Sequence, residues 1–571
     1  MKMSSKVLIL VASLAVSTLI VAADSPASDD GVLRQIGVRL GVQSGPESEI
    51  IYRILVAEVA GKRGNLSVAL ENYRLAAETS NDPRIAERAT DIALFMGEDT
   101  IALETSRRWH TLAPDSLLAR QSLALALLRN REVVEAVDHL DAMREEMADE
   151  GDGGFGAINA ILSQVPDPAV GAQVMSLLRD RYPASPHALF YYGMAAMGND
   201  NSQAALEALS AAVKLDPDWS QAHLARAELL VQMDKTGQAL EDLAEILAEQ
   251  PQARSLRMGY ARLLIATDHL QEARAQFEQL VTDDPQDGES LFALGVLAAD
   301  AEQFDLAVEY LQKVLALDVR IMDAYYELGK VEELRGNFEK ALDWYAQIIS
   351  GERYLNAQVR VATMEARLGN FPAMAERFEQ LRATNPDSAV ALYIAESEVL
   401  REEQRYQMSF DLLDGALQTM PDNHDLLYSR ALIAERLDRL DVLEQDLRQI
   451  IAADPDNGHA LNALGYTLAD RTDRYEEALD YIQQALVLLP EDPAVLDSMG
   501  WVKYRLENYE DALKYLRQAY EINPDPEIAS HLSEVLWVSG EQDEARNIWQ
   551  ESIDQHPEDE HLIEVQERFG L

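Results

Sequence analysis

A chain of 571 residues is longer than one ordinary hydrophobic core can serve, so it must be built from repeats or several domains. It contains no cysteine, which excludes disulfides, thiolate metal sites and thiol catalysis. The net charge of −50, from 99 acidic and 49 basic residues, disfavours nucleic acid and anionic lipid as partners, because both are bound through Lys and Arg. Basic proteins remain open as partners, and the acids also suit solvated helix faces that keep a long protein in solution.

At the N-terminus, Lys2 and Lys6 precede an apolar run over 7–23, and Val21 and Ala23 are the small residues expected before a cut at Asp24. This reads as a secretory signal over 1–23 followed by a linker over 24–47, and so as an exported, periplasmic protein. An uncleaved N-terminal anchor is the alternative, and it would permit envelope association. A lipoprotein would need a cysteine at the cut.

Residues 48–147 read as divergent helical hairpins. Residues 148–183 begin with the glycine-rich break "ADEGDGGFGA" and continue into an atypical hairpin. Periodicity then dominates the chain. Pro183, Pro217, Pro251 and Pro285 stand 34 residues apart, and Ala205, Ala239, Ala273, Ala307, Ala341 and Ala375 repeat the same interval. The prolines resume at Pro386, Pro421, Pro455, Pro490, Pro524 and Pro557 with slips of one residue. Within one unit, Leu461, Leu464 and Leu468 form the buried stripe of a first helix, "RTDRY" reverses the chain, and Ala478, Ile482 and Ala485 form the stripe of the second. About fifteen such hairpins fit, each burying its apolar face only by stacking on its neighbours. The expected fold is an all-α solenoid superhelix, with a regular array over 184–557 and a capping segment over 558–571.

Catalytic signatures are missing from the sequence: there is no G-x-x-x-x-G-K-[ST], G-x-S-x-G or H-E-x-x-H. "GDGGFG" at 151–156 lacks the strand and lysine of a phosphate loop, and "DPDNG" at 454–458 lacks the distal glutamate of a calcium loop. "HPEDEH" at 556–561 has metal-ligating residue types but nothing to fix their geometry. No enzyme activity, cofactor or metal is expected.

The Pro and Ala ladders, with Leu294-Gly295, Leu328-Gly329, Leu464-Gly465, Phe277 and Tyr345, resemble the tetratricopeptide repeat over about 48–557. The resemblance implies that first helices line a concave groove, with their fifth and ninth positions turned toward a bound segment. In that register Phe190, Phe292, Tyr326, Lys330, Asn462, Tyr466, Trp501 and His531 are the candidate partner-binding residues. Trp501, next to the packing seam at Met499 and Gly500, is expected to lean into the groove and to be dispensable for stability. A basic clamp for a terminal carboxylate is not expected, since only Asn462 and Lys330 suit it and they lie four repeats apart.

Two blocks, "ILVAEVAGKRGNLSVALENYRLAAETSNDPRIAERATDIALF" and "NALGYTLADRTDRYEEALDYIQQALVLLPEDPAVLDSMGWVKYRLENYEDALKYLRQAYEINPDPEIASHLSEVLWVSGEQDEA", are similar to a family of exported repeat proteins of Gram-negative bacteria. Its best-known type is the outer-membrane lipoprotein adaptor of a carboxyl-terminal processing protease, which helps degrade peptidoglycan hydrolases. The resemblance implies a periplasmic scaffold or proteolysis adaptor, with the protease and the hydrolases as partners. A scaffold for envelope assembly or exopolysaccharide secretion is the other reading. The missing lipidated cysteine departs from the lipoprotein type.

Overall fold

The computed structural model describes residues 46–147 and 151–570. The export signal, and all but the last two residues of the linker, lie outside the described residues. Described residues form thirty-one α-helices, from Pro46–Lys62 to Glu560–Phe569, one short 3-10 turn at Pro386–Ser388 and no strand. Taken in pairs they are fifteen antiparallel hairpins and one closing helix. None of the described helices is long and apolar enough to cross a membrane.

The chain divides into two compact units at Pro285 and Gln286. The first contains seven hairpins, and the second contains eight with the closing helix Glu560–Phe569. In each unit a helix packs on its hairpin partner and on the next hairpin, which is how a repeat too small for its own core buries its apolar face.

The thirteenth and fourteenth hairpins show the local logic. Gly458–Arg471 and Pro493–Arg505 are first helices, and Tyr475–Leu488 and Tyr509–Ile522 are their partners. The Asn457 side chain accepts from Ala460 N at 3.0 Å, and Asp492 accepts from Ala494 N at 2.9 Å, so each first helix starts with a satisfied cap. Leu461, Leu464, Leu468, Ala478, Ile482 and Ala485 are all buried, as their spacing predicts. Gly465 and Gly500 lie where the helices cross. A Cβ on Gly465 would come within 2.5 Å of Ile482, and one on Gly500 within 2.5 Å of Leu516.

A further ladder marks the turns inside the hairpins. Asp200, Asp234, Asp268 and Glu302 all have left-handed backbone, with φ between 54° and 60°, and Gly336 follows at 74°. Gln404, Asp438 and Glu507 repeat that conformation in later hairpins. The turn geometry is therefore enforced by packing even where no glycine relieves it. Residues 148–150 of the glycine-rich break lie outside the described residues; beyond them, the Asp152 carboxylate accepts from Gly154 N at 2.9 Å and Gly156 N at 2.7 Å, and Phe155–Leu162 starts there.

Candidate functional site

In the second unit, the first helices His424–Arg436, Gly458–Arg471, Pro493–Arg505 and Pro526–Ser539 face one cleft of about 660 Å³. Fifth positions of three consecutive hairpins, Tyr428, Asn462 and Asp497, line it, as do Tyr466 and Asp470 from the second of these helices. Regular caps aim the helices: Asn423 accepts from Leu426 N at 3.0 Å, and Asp525 from Glu527 N at 2.9 Å. With the 34-residue repeat, equivalent side chains then fall on equivalent faces.

A polar and aromatic network holds the cleft wall. His531 Nδ1 donates to Asp497 Oδ1 at 3.0 Å and Oδ2 at 2.9 Å. Its Nε2 stands 3.5 Å from the Tyr466 hydroxyl, which donates to Glu527 Oε1 at 2.8 Å. Trp501 stacks on the His531 ring at 4.1 Å and donates through Nε1 to Asp470 Oδ1 at 3.2 Å. Burial acts to lower the His531 pKa, but the Asp497 carboxylate beside it, with Glu527 and Asp470 adding, lifts it to about 9. His531 is thus an imidazolium at neutral pH. Burial pushes the Asp497 carboxyl up, and His531 opposes this. Burial and the surrounding carboxylates of Glu527, Asp497 and Asp470 hold the Tyr466 phenol well above its ordinary value.

Acids dominate the lining. Asp438 pairs with Arg471 at 2.7 Å, but the Glu435 carboxylate makes no hydrogen bond or close ion pair among the described residues. Burial holds the Glu435 carboxyl above the usual range; Glu527 and Asp470 add to the rise, while Arg436 and Arg471 offset it. Asn462 Oδ1 is closed off from solvent and accepts no hydrogen bond.

The structure separates the eight candidates. Asn462 and Tyr466 line the cleft. Trp501 and His531, each 6% exposed, are packed into its wall, which corrects the expectation that they offer a partner their faces. An indole sandwiched between hairpins and bonded to Asp470 is a packing residue, so it is not dispensable for stability either. Phe190, 2% exposed in the first unit, packs against Trp219 at 4.6 Å. Phe292 lies buried under the Arg320 guanidinium, 3.8 Å from its ring centre. These two are corrected in the same way: a large apolar ring at the fifth position gains more from the next hairpin than from open solvent. Tyr326 is half-buried against Tyr345 and Arg353, and Lys330 is half-exposed, 3.7 Å from Asp300. Neither joins the cleft. Tyr428 and Asp497 are fifth-position residues that the same register would have found. Glu435, Asp470 and Glu527 carry no positional signal of their own.

Among the described residues, no group of three or more His, Asp or Glu side chains is arranged to hold a metal ion. Family models of the tetratricopeptide repeat match residues 167–218, 230–294, 292–354, 444–493 and 493–526. The TPR repeat-containing protein PA4667 of Pseudomonas aeruginosa is 35% identical over 490 residues, which are 85% of this chain and 82% of that protein. The TPR repeat-containing protein YpiA of Bacillus subtilis is 21% identical over 206 residues, 36% of this chain and 47% of that protein. Among solved structures, yeast Tom70 aligns over 89% of this chain and 92% of its own, at 14% identity and a TM-score of 0.31. The APC/C hetero-tetramer Cut9–Hcn1 aligns over 90% and 96%, at 15% identity and a TM-score of 0.33. Repeat periodicity, hairpin architecture and a relative matched over most of both chains agree: the chain belongs to the tetratricopeptide-repeat proteins.

Proposed function

We propose that this chain is an exported, non-catalytic scaffold that holds a segment of a partner protein in the cleft of its second unit, and that it serves as an adaptor for a carboxyl-terminal processing protease. Proteins built from this repeat are in general scaffolds that bind other proteins. The single observation that carries the reading is the cleft, about 660 Å³ and bordered by four consecutive first helices. A cleft lined by several first helices suits an extended or helical segment, gripped by several repeats at once. Export is supported by the basic start, the apolar run over 7–23 and the small residues before Asp24. The adaptor role is supported by the two sequence blocks similar to exported repeat adaptors, and the acidic lining favours a basic partner segment over an acidic one.

Affinity capture from envelope extracts, read by mass spectrometry, tests this directly. The expected catch is a processing protease together with cell-wall hydrolases, lost in an Asn462→Trp variant that fills the cleft. Recovery of only secretion or polysaccharide-synthesis proteins would replace the adaptor reading with that of an envelope-assembly scaffold. Recovery unchanged by Asn462→Trp would remove the cleft from the function.

A further inference from the structure

Three earlier first helices of the second unit show how this repeat treats an aromatic ring on its groove side. Phe292, Tyr326 and Tyr393 each lie beneath a guanidinium of the chain itself: Arg320 at 3.8 Å, Arg353 at 4.8 Å and Arg382 at 4.1 Å from the ring centres. An acid holds each guanidinium in place. Arg320 Nε donates to Asp323 at 3.1 Å, Arg353 Nε to Asp323 at 2.5 Å, and Arg382 Nη1 to Glu396 at 2.5 Å. Ring, guanidinium and carboxylate recur as a unit.

Tyr428 follows Tyr393 by 35 residues and occupies the same repeat position, bordering the open cleft. Among the described residues no guanidinium covers its ring, and Glu435, two turns along the same helix, makes no close ion pair. Two of the three parts of the unit are therefore present. Asp470 and Glu527 line the cleft as well, with Arg436 and Arg471 opposing their effect on Glu435, whose carboxylate burial leaves poorly solvated, a cost that a directly bonded cation would relieve.

We infer that this part of the cleft is a subsite for an arginine side chain of the bound protein segment, with the guanidinium over Tyr428 and its N–H groups donating to the Glu435 carboxylate. A guanidinium has only donors to offer, in a planar fork that also stacks, and the wall offers acceptors and a ring. The inference rests on the cleft being where a partner segment binds.

Fluorescence anisotropy of the full chain with labelled alanine–serine peptides, identical but for one central arginine, lysine or citrulline, tests it. The arginine peptide is expected to bind at least about tenfold tighter than the citrulline peptide, and more weakly as salt rises. Glu435→Gln and, separately, Tyr428→Leu should each abolish most of that preference while circular dichroism stays unchanged. Equal binding of arginine and citrulline peptides, both lost in Asn462→Trp, would overturn the subsite and leave the cleft as the binding place. Lysine binding as tightly as arginine would overturn the guanidinium assignment. Absence of binding by every peptide, or binding that Asn462→Trp does not change, would overturn the cleft reading along with the subsite.

Discussion

At Phe292, Tyr326 and Tyr393 the groove-side ring lies beneath an arginine of the same chain, whereas at Tyr428 the ring borders an open, acidic cleft. The repeat is the same in both regions, and the difference arises next to it. Arg320 and Arg353 stand at the N-caps of the following helices, Ile321–Leu334 and Tyr354–Arg367, where they make no side-chain cap and reach over the preceding ring instead. After Tyr428 the corresponding residue is Asn457, which turns inward to cap its own helix. Tyr393 is covered from the other side, by Arg382 of the preceding helix Phe371–Thr384, although its following cap, Asn423, turns inward as Asn457 does. A ring thus stays open only where neither neighbouring helix supplies an arginine.

Substitutions at packed positions should cost far more than substitutions in the open part of the cleft. The largest expected effect is at the cleft wall: Trp501→Ala should cost about 3–5 kcal/mol, seen as faster hydrogen exchange across the thirteenth to fifteenth hairpins. A small loss would mean that the wall does not depend on the indole. Next comes Arg382→Met in the covered region, which strands Glu396, 3% exposed, without its partner and should cost about 3 kcal/mol by urea unfolding. Glu435→Gln in the open region should change stability by less than about 0.5 kcal/mol, and equal costs for the two would erase the contrast. Gly500→Ala, which forces a Cβ against Leu516, should cost about 1–3 kcal/mol.

Titration separates the cleft wall from the first unit. His531 is raised from 6.5 to about 9 in the fold, so its contribution is fully present below about pH 6.5 and is lost as pH rises through about 9. Burial lowers His110 and His139, whose rings meet edge to face at 5.1 Å, so there the unfolded chain takes up protons first and stability falls as pH drops below 6.5. Urea midpoints followed against pH should show alkaline loss that shrinks in His531→Asn, and a loss between about pH 6.5 and 5 that shrinks in His139→Gln, His110 supplying the remainder. The smallest expected effect is Glu507→Gly, which relieves a left-handed turn at φ 61° and should change thermal stability by less than about 1 kcal/mol, toward higher melting temperature.

The hairpins, their number, the buried stripes and the small residues at the crossings were all legible from 34-residue spacing, because a stacked repeat must present the same faces at every turn. Spacing also placed Asn462 and Tyr466 on the cleft side. The left-handed turn at Asp200, Asp234, Asp268 and Glu302 was less legible, since acidic residues there look like ordinary loop polarity. Periodicity assigns a side chain to a face, but not to what covers that face. Whether Phe292 sits under Arg320, Trp501 packs on His531, or Tyr428 and Glu435 stand open depends on contacts between residues about 30 positions apart, and a repeat pattern does not encode these individually. Only the tertiary structure decided them, because covering a ring depends on where the neighbouring hairpin's side chains point after their own backbone hydrogen bonds are satisfied.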